Sequence, residues 1–157
     1  MLRMPLASLI DRYLVAIETL GLQPMLILNK SDLKSQCEDP DRLEAMLEIY
    51  RGLDYPVLEV SATTGEGLDT LGESLQGVTT VLVGQSGVGK SSLVNGLGFE
   101  EALAAVGGLS TVNDKGMHTT TTSRLFLLAG FDLIDSPGIR EFGLGNISPQ
   151  QVLDGFV

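Results

Sequence analysis

Apolar residues Leu6, Leu9, Ile10, Tyr13, Leu14, Ile17 and Leu20 recur at three- and four-residue spacing between Pro5 and Gly21, which predicts an opening amphipathic helix. Met25 to Leu28 is a short apolar run and predicts a buried strand. Asp39-Pro40 supplies an N-cap and a first-turn proline for a second helix whose apolar face carries Leu43, Met46, Leu47 and Tyr50. Pro56 to Val60 reads as the next strand, followed by a turn at Gly65 and Gly67 and a short helix over Leu68 to Leu75. Thr79 to Val83 predicts a strand and Lys90 to Leu97 a helix. From Gly98 to Thr122 periodicity fades and Gly, Ser, Thr and Asn dominate, the pattern of a long loop. Strands are predicted at Arg124 to Leu128 and Phe131 to Ile134, then a glycine-bearing segment from Asp135 to Asn146 and a last helix near Pro149 to Phe156. Strands alternating with helices predict an α/β chain: an open, mostly parallel sheet covered on both faces, in three α/β/α layers.

At 157 residues with 43% hydrophobic content the chain has the size and apolar content of one ordinary domain. Its net charge of -10 argues against a broad electrostatic grip on nucleic acid or on an anionic membrane, which needs clustered Lys and Arg. There is no apolar run of transmembrane length and no signal-peptide pattern at Met1 to Pro5, so no membrane association and a cytoplasmic location are the expectations. The single cysteine, Cys37, excludes an internal disulfide and a cysteine-rich zinc site, and reads as an idle thiol in a polar loop.

The chemistry lies at the ends of the predicted strands. Gly84-Gln85-Ser86-Gly87-Val88-Gly89-Lys90-Ser91 fits G-x-x-x-x-G-K-[ST] between a strand and a helix, the setting of a phosphate-binding loop. Its glycines permit conformations that turn N–H groups toward phosphate oxygens; Lys90 is expected to reach the β- and γ-phosphates and the Ser91 hydroxyl to bind Mg2+. Asn29-Lys30-Ser31-Asp32 follows the strand Met25 to Leu28. A carboxylate at Asp32 can accept both N1–H and the exocyclic amine of guanine, and a site built on such pairing rejects the wrong analogue by about 10^4 or more. Asn29 would tie loops together and the Lys30 stem would cover the base, although the same residues alone also fit a turn in which Asp32 starts a helix. Ser61-Ala62-Thr63 fits a loop whose Ala62 N–H donates to guanine O6. Asp135-Ser136-Pro137-Gly138 fits D-x-x-G, with Asp135 holding Mg2+ through water and the Gly138 N–H sensing the γ-phosphate. The only histidine, His118, stands beside Thr119 to Thr122 in the long loop, where a first switch belongs. Thr120, rather than Thr119 or Thr121, is the expected Mg2+ ligand there; a run of surface threonines is the plainer reading.

The base motif precedes the phosphate loop, the reverse of the usual order along a GTPase chain. Together with Asp11-Arg12-Tyr13-Leu14-Val15-Ala16, Gly84 to Ser92, His118-Thr119-Thr120-Thr121 with Arg124-Leu125, and Asp135 to Leu144, this order resembles the circularly permuted GTPases of the RsgA or YjeQ family. The resemblance implies a P-loop NTPase fold and a Mg2+-dependent GTPase that assists late maturation of the small ribosomal subunit and is stimulated by that subunit and its rRNA. It implies one GTPase domain over residues 1–157, with a base-recognition part over 1–77 and a phosphate-loop and switch part over 78–157, and with Ser92 among the nucleotide contacts. The family's flanking OB-fold and zinc domains have no counterpart in these residues, so no zinc site is expected and ribosome binding is expected to reside largely elsewhere. Ile139 stands where many small GTPases place a water-orienting glutamine; the resemblance points to His118 instead, as a group that positions water or one that contacts the ribosome. Gly87 occupies the place of a potassium-coordinating asparagine, so no strong potassium requirement is expected from that route. Two other readings are a nucleotide-binding fragment with little hydrolysis of its own, and an ATP-using P-loop enzyme with a coincidental Asn-Lys-Ser-Asp.

Overall fold

The computed structural model describes residues 4–98, 124–128 and 130–135. These divide into two compact units, one running to Glu59 and the other starting at Val60. The loop expected after Gly98, the segment 136–146 and the helix expected near Pro149 to Phe156 fall outside the described residues.

The first unit begins with α1 (Ala7–Thr19), whose periodic apolar residues bury Tyr13 and Leu14. Beyond it Gly21 takes φ 66°, a left-handed conformation that glycine adopts without a Cβ penalty, and its N–H bonds Glu18 O at 2.9 Å. Strand β1 (Leu26–Asn29) leads into a 3-10 segment, Ser31–Gln36, and then α2 (Pro40–Gly52). Helix α2 starts as the sequence predicts, with Pro40 in its first turn and the Asp39 carboxylate accepting from the Arg42 N–H at 3.0 Å. Strand β2 (Val57–Val60) lies beside β1 in a two-stranded sheet. Leu28, Cys37, Leu43 and Leu47 form one core cluster, and Leu14, Tyr50 and Tyr55 form another; Met46 and Val57 pack against both. Cys37 is therefore a core residue and not a thiol in a polar loop: the 3-10 segment ends by bonding its N–H to Lys34 O at 3.1 Å and turns the side chain inward beside Met4.

A ring of ion pairs closes over one side of this unit. Lys34 Nζ meets Glu44 Oε2 at 2.5 Å and Glu59 Oε2 at 2.7 Å; Arg51 meets the same two carboxylates at 2.7 and 3.0 Å, and also pairs with Glu48. Hydrogen bonds from Lys34 and then Arg51 hold the Glu44 carboxyl below its ordinary value, and Glu44 followed by Glu59 raises the Lys34 ammonium.

The second unit contains α3 (Leu68–Ser74), β3 (Thr79–Leu82), α4 (Lys90–Gly96), β4 (Arg124–Leu128) and β5 (Phe131–Asp135). Its sheet runs β3-β5-β4. The β3-β5 pair is parallel and needs a long crossover, which includes α4; β4 and β5 are antiparallel and joined through a short turn at Gly130. In β5, Phe131, Leu133 and Asp135 are buried while Asp132 and Ile134 are less so, the alternation of a strand with one face turned inward. Helix α4 packs on β5, and buried Leu93 and Val94 carry its inner face.

Leu43 is fully buried, so Leu43→Ala is expected to destabilise the protein by about 2–5 kcal/mol in urea unfolding, with the slope of the transition unchanged. The ion-pair ring carries a second expectation. Glu44 titrates lower when folded, so its contribution is present above the unfolded glutamate value of about 4.3 and is lost as pH falls through the folded value. Lys34 titrates higher when folded, so its contribution is present below about 10.4 and is lost as pH rises through the folded value. Melting temperature should be highest between those limits, and Lys34→Met should flatten the profile.

Candidate functional site

Two of the predicted motifs sit at strand ends in the second unit, where the β3-β5 register aligns them. Leu82 of β3 stands beside Asp135 of β5, so the loop that begins at Gly84 and the carboxylate that ends β5 leave the same edge of the sheet. The glycine-rich turn Gly84 to Gly89 carries the chain from β3 into α4. Gly89 is the residue before α4 and takes φ 95°, which an L side chain adopts only with strain. Gly96, at the other end of α4, allows a close approach: a Cβ there would lie 2.8 Å from Leu68 Cδ1 and within 4 Å of the Ala62 backbone.

This arrangement concentrates charge where little water reaches. Lys90 is 9% exposed and Asp135 3%. The Lys90 ammonium donates to Gly84 O at 2.9 Å and Gln85 O at 3.2 Å, so the lysine lies across the glycine loop that precedes it. Burial pulls its pKa below the ordinary lysine value, and the Asp135 carboxylate offsets part of that shift. Ser91 Oγ donates to Asp135 Oδ2 at 3.2 Å, while the buried Oδ1 has no hydrogen-bond partner among the described residues. A buried carboxylate oxygen left unpaired is costly and calls for explanation. A hydroxyl and a carboxylate side by side, with one oxygen unspent, fit a hard divalent cation such as Mg2+, which takes oxygen ligands and retains waters. Gln85 and Gly89 are half-buried and Ser86, Gly87, Val88, Ser91 and Ser92 exposed, so the loop presents both backbone and hydroxyl groups at the surface.

Ser61 is fully buried in the same unit. Its hydroxyl accepts from the Thr64 N–H at 3.1 Å and its N–H bonds Glu66 O at 2.9 Å, so its side chain shapes the loop. Ala62 is half-buried beside it.

The other motif belongs to the first unit. Asn29 ends β1 with its side chain buried, and its Oδ1 accepts from the Lys30 N–H at 2.8 Å. Lys30 has φ 66°, a left-handed conformation that costs a residue with a Cβ about 1–2 kcal/mol. Such strain persists where the surroundings over-determine it, and it is enriched at functional positions. Ser31 begins the 3-10 segment after Lys30 as its N-cap, and Asp32 is exposed in its first turn. Sequence reasoning did not find this segment or the ion-pair ring. Only the 44, 48, 51 spacing, one helix face, hinted at the ring, since Lys34 and Glu59 are 25 positions apart.

His118, Thr119 to Thr122 and Ser136 to Gly138 lie outside the described residues, and of Arg124 only the backbone is described. Among the described residues no group of three or more His, Cys, Asp or Glu side chains gathers as a metal cluster, and no helix is long and apolar enough to cross a membrane.

Residues 4–145 match the family model described as RsgA GTPase. A curated relative, the small ribosomal subunit biogenesis GTPase RsgA of Pseudomonas savastanoi pv. phaseolicola, is 58% identical over 154 residues, which cover 98% of this chain and 44% of that protein. Among solved structures, YjeQ from Thermotoga maritima superposes with a TM-score of 0.69 at 32% identity, covering 97% of this chain and 49% of that one. The structure titled YloQ, a circularly permuted GTPase, gives a TM-score of 0.69 at 28% identity, over 97% and 46% of the two chains. The mixed α/β fold is that of the circularly permuted P-loop GTPases. The chain spans about half the length of the relatives it matches.

Gly89→Ala is expected to destabilise the protein by about 1–2 kcal/mol, because the added Cβ must be carried at φ 95°. Urea unfolding measures this, and a loss below about 0.3 kcal/mol would mean that the turn relaxes out of the left-handed region.

Proposed function

The chain belongs to the RsgA GTPase family, and from that premise we propose that it is the GTP-binding and GTP-hydrolysing core of a factor for maturation of the small ribosomal subunit. The observation that carries the reading is the convergence of Lys90, Ser91 and Asp135 at one sheet edge, with a buried carboxylate oxygen still unspent. Lys90 and the backbone of Gly84 to Gly89, with Ser91 and Ser92 following, bind the phosphates. Asn29, Lys30, Ser31 and Asp32 select guanine, assisted by the Ser61-Ala62 loop. Residues 1–77 serve base recognition and 78–157 the phosphates and switches.

Ser91, Asp135 through water, and Thr120 are the proposed ligands of Mg2+, which when bound neutralises charge on the phosphate oxygens. Lys90 already has its donors directed at the loop carbonyls, so it is held where a phosphate oxygen can replace them. The Gly138 N–H senses the γ-phosphate, and His118 positions or activates the attacking water in place of the glutamine that Ile139 displaces; both assignments rest on the family motifs. With that glutamine missing and no arginine finger assigned, turnover is slow until a partner completes the site. The partner is the small ribosomal subunit, as the names of the relatives support, and contact with its rRNA and work in the cytoplasm follow from the family resemblance.

GTP turnover by the full-length protein is expected to rise at least tenfold on adding small ribosomal subunits, while a supplied catalytic group is worth about 10^3 to 10^5 at most. His118→Ala should lower the stimulated rate with GDP affinity within about twofold of the parent. Equal turnover with and without subunits would leave nucleotide binding alone as the function, and preferential binding of ATP over GDP would reject the base assignment.

A further inference from the structure

The motif proposed to read guanine stands on a weak element. A 3-10 segment has poorer hydrogen-bond geometry than an α-helix, and Lys30 before it is held in a strained conformation. Something outside the segment must fix it. Apolar anchoring accounts for one side, since Leu33 and Cys37 pack with Leu28, Leu43 and Leu47. Lys34 supplies the other. Its ammonium meets Glu44 of α2 and Glu59 of β2, and Arg51 of α2 meets the same two carboxylates, so Lys34, Glu44, Arg51 and Glu59 alternate in sign around a closed ring. Isolated exposed pairs contribute little, because each must order two long side chains against water. Here every member is shared by two partners and the side chains of Lys34 and Glu59 are only 26% and 28% exposed, the conditions under which a network constrains geometry. Asp32, exposed, lies two positions before Lys34 in the same short segment, so the backbone that carries it is tied to the ring at Lys34.

We propose that the Lys34-Glu44-Arg51-Glu59 ring is a positioning device for base selection, holding the Asn29 to Asp32 turn so that Asp32 discriminates guanine from bases lacking the 2-amino group. This rests on the reading of that turn as the guanine site. Lys34 and Glu59 are positioning residues; the nucleotide is contacted by Asp32 and not by them. Opening the ring lets the carboxylate drift by a fraction of an ångström, which weakens the contact to the amino group more than it weakens anything held elsewhere.

The test compares GDP with inosine diphosphate, which differs at that amino group alone, by titration calorimetry on the full chain. In Lys34→Met and Glu59→Gln the affinity ratio of GDP to inosine diphosphate is expected to fall by about threefold or more, inosine diphosphate losing less because it offers Asp32 only its N1–H; Lys34→Arg keeps the ratio. A ratio unchanged in folded variants overturns the proposal, as does a loss of both affinities in parallel, which marks a merely structural role. Should those two variants not fold, the parent protein is titrated between about 0.1 M and about 1 M salt, over which the Debye length shrinks from ~10 Å to ~3 Å. Salt affects the phosphate contacts of both ligands alike, so a falling ratio supports the ring and a constant one overturns it. A parent that does not prefer GDP at all rejects the guanine reading itself, an outcome distinct from preference retained in every variant.

Discussion

The parallel pairing of β3 with β5 is the constraint on which the second unit depends. By setting Leu82 beside Asp135, it decides where the glycine loop leaves the sheet and which carboxylate meets it there. The Ser91 hydroxyl then reaches Asp135 from the first turn of α4, and Lys90, one position earlier, lies back across the loop. Lys90 reaches back only five and six positions, but Ser91 and Asp135 stand 44 positions apart and are brought together by the ladder that aligns β3 with β5.

The two units solve opposite problems. The first buries apolar side chains in adjoining clusters and keeps its charges in a partly exposed ring, so electrostatics there constrains geometry more than it stabilises the fold. The second buries a lysine and a carboxylate whose desolvation works against folding. Buried neighbours such as Leu93, Val94 and Leu133 offset that cost. The strain at Gly89, where only glycine sits easily, belongs to the same unit, and a binding loop commonly concentrates such costs.

The sequence made the helices legible where physical punctuation is strong. Asp39-Pro40 marks the start of α2 to the residue, and the phosphate loop is recognisable because a β-rich run and a helix flank it. What escaped has a physical reason in each case. Ser31 to Gln36 has no apolar period, since a 3-10 turn is too short to display one. Cys37 looked like a loop residue because its immediate neighbours are polar, yet the end of that turn rotates it into the core. The ring from Lys34 to Glu59 joins residues far apart in the chain, a pairing that only tertiary structure creates. The hydroxyl of Ser61 is spent on Thr64, so a motif that suggests ligand contact is partly one of loop architecture.

The register between β3 and β5 also governs how this sequence can change over generations. Adjacent residues in a strand face opposite ways, so one residue gained or lost within Phe131 to Asp135 would carry the carboxylate to the other side of the sheet. Exchanging one apolar residue for another there is a far smaller disturbance. Selection on β5 therefore acts on length more severely than on identity, and insertions and deletions should be confined to the connections between strands while substitutions accumulate within them.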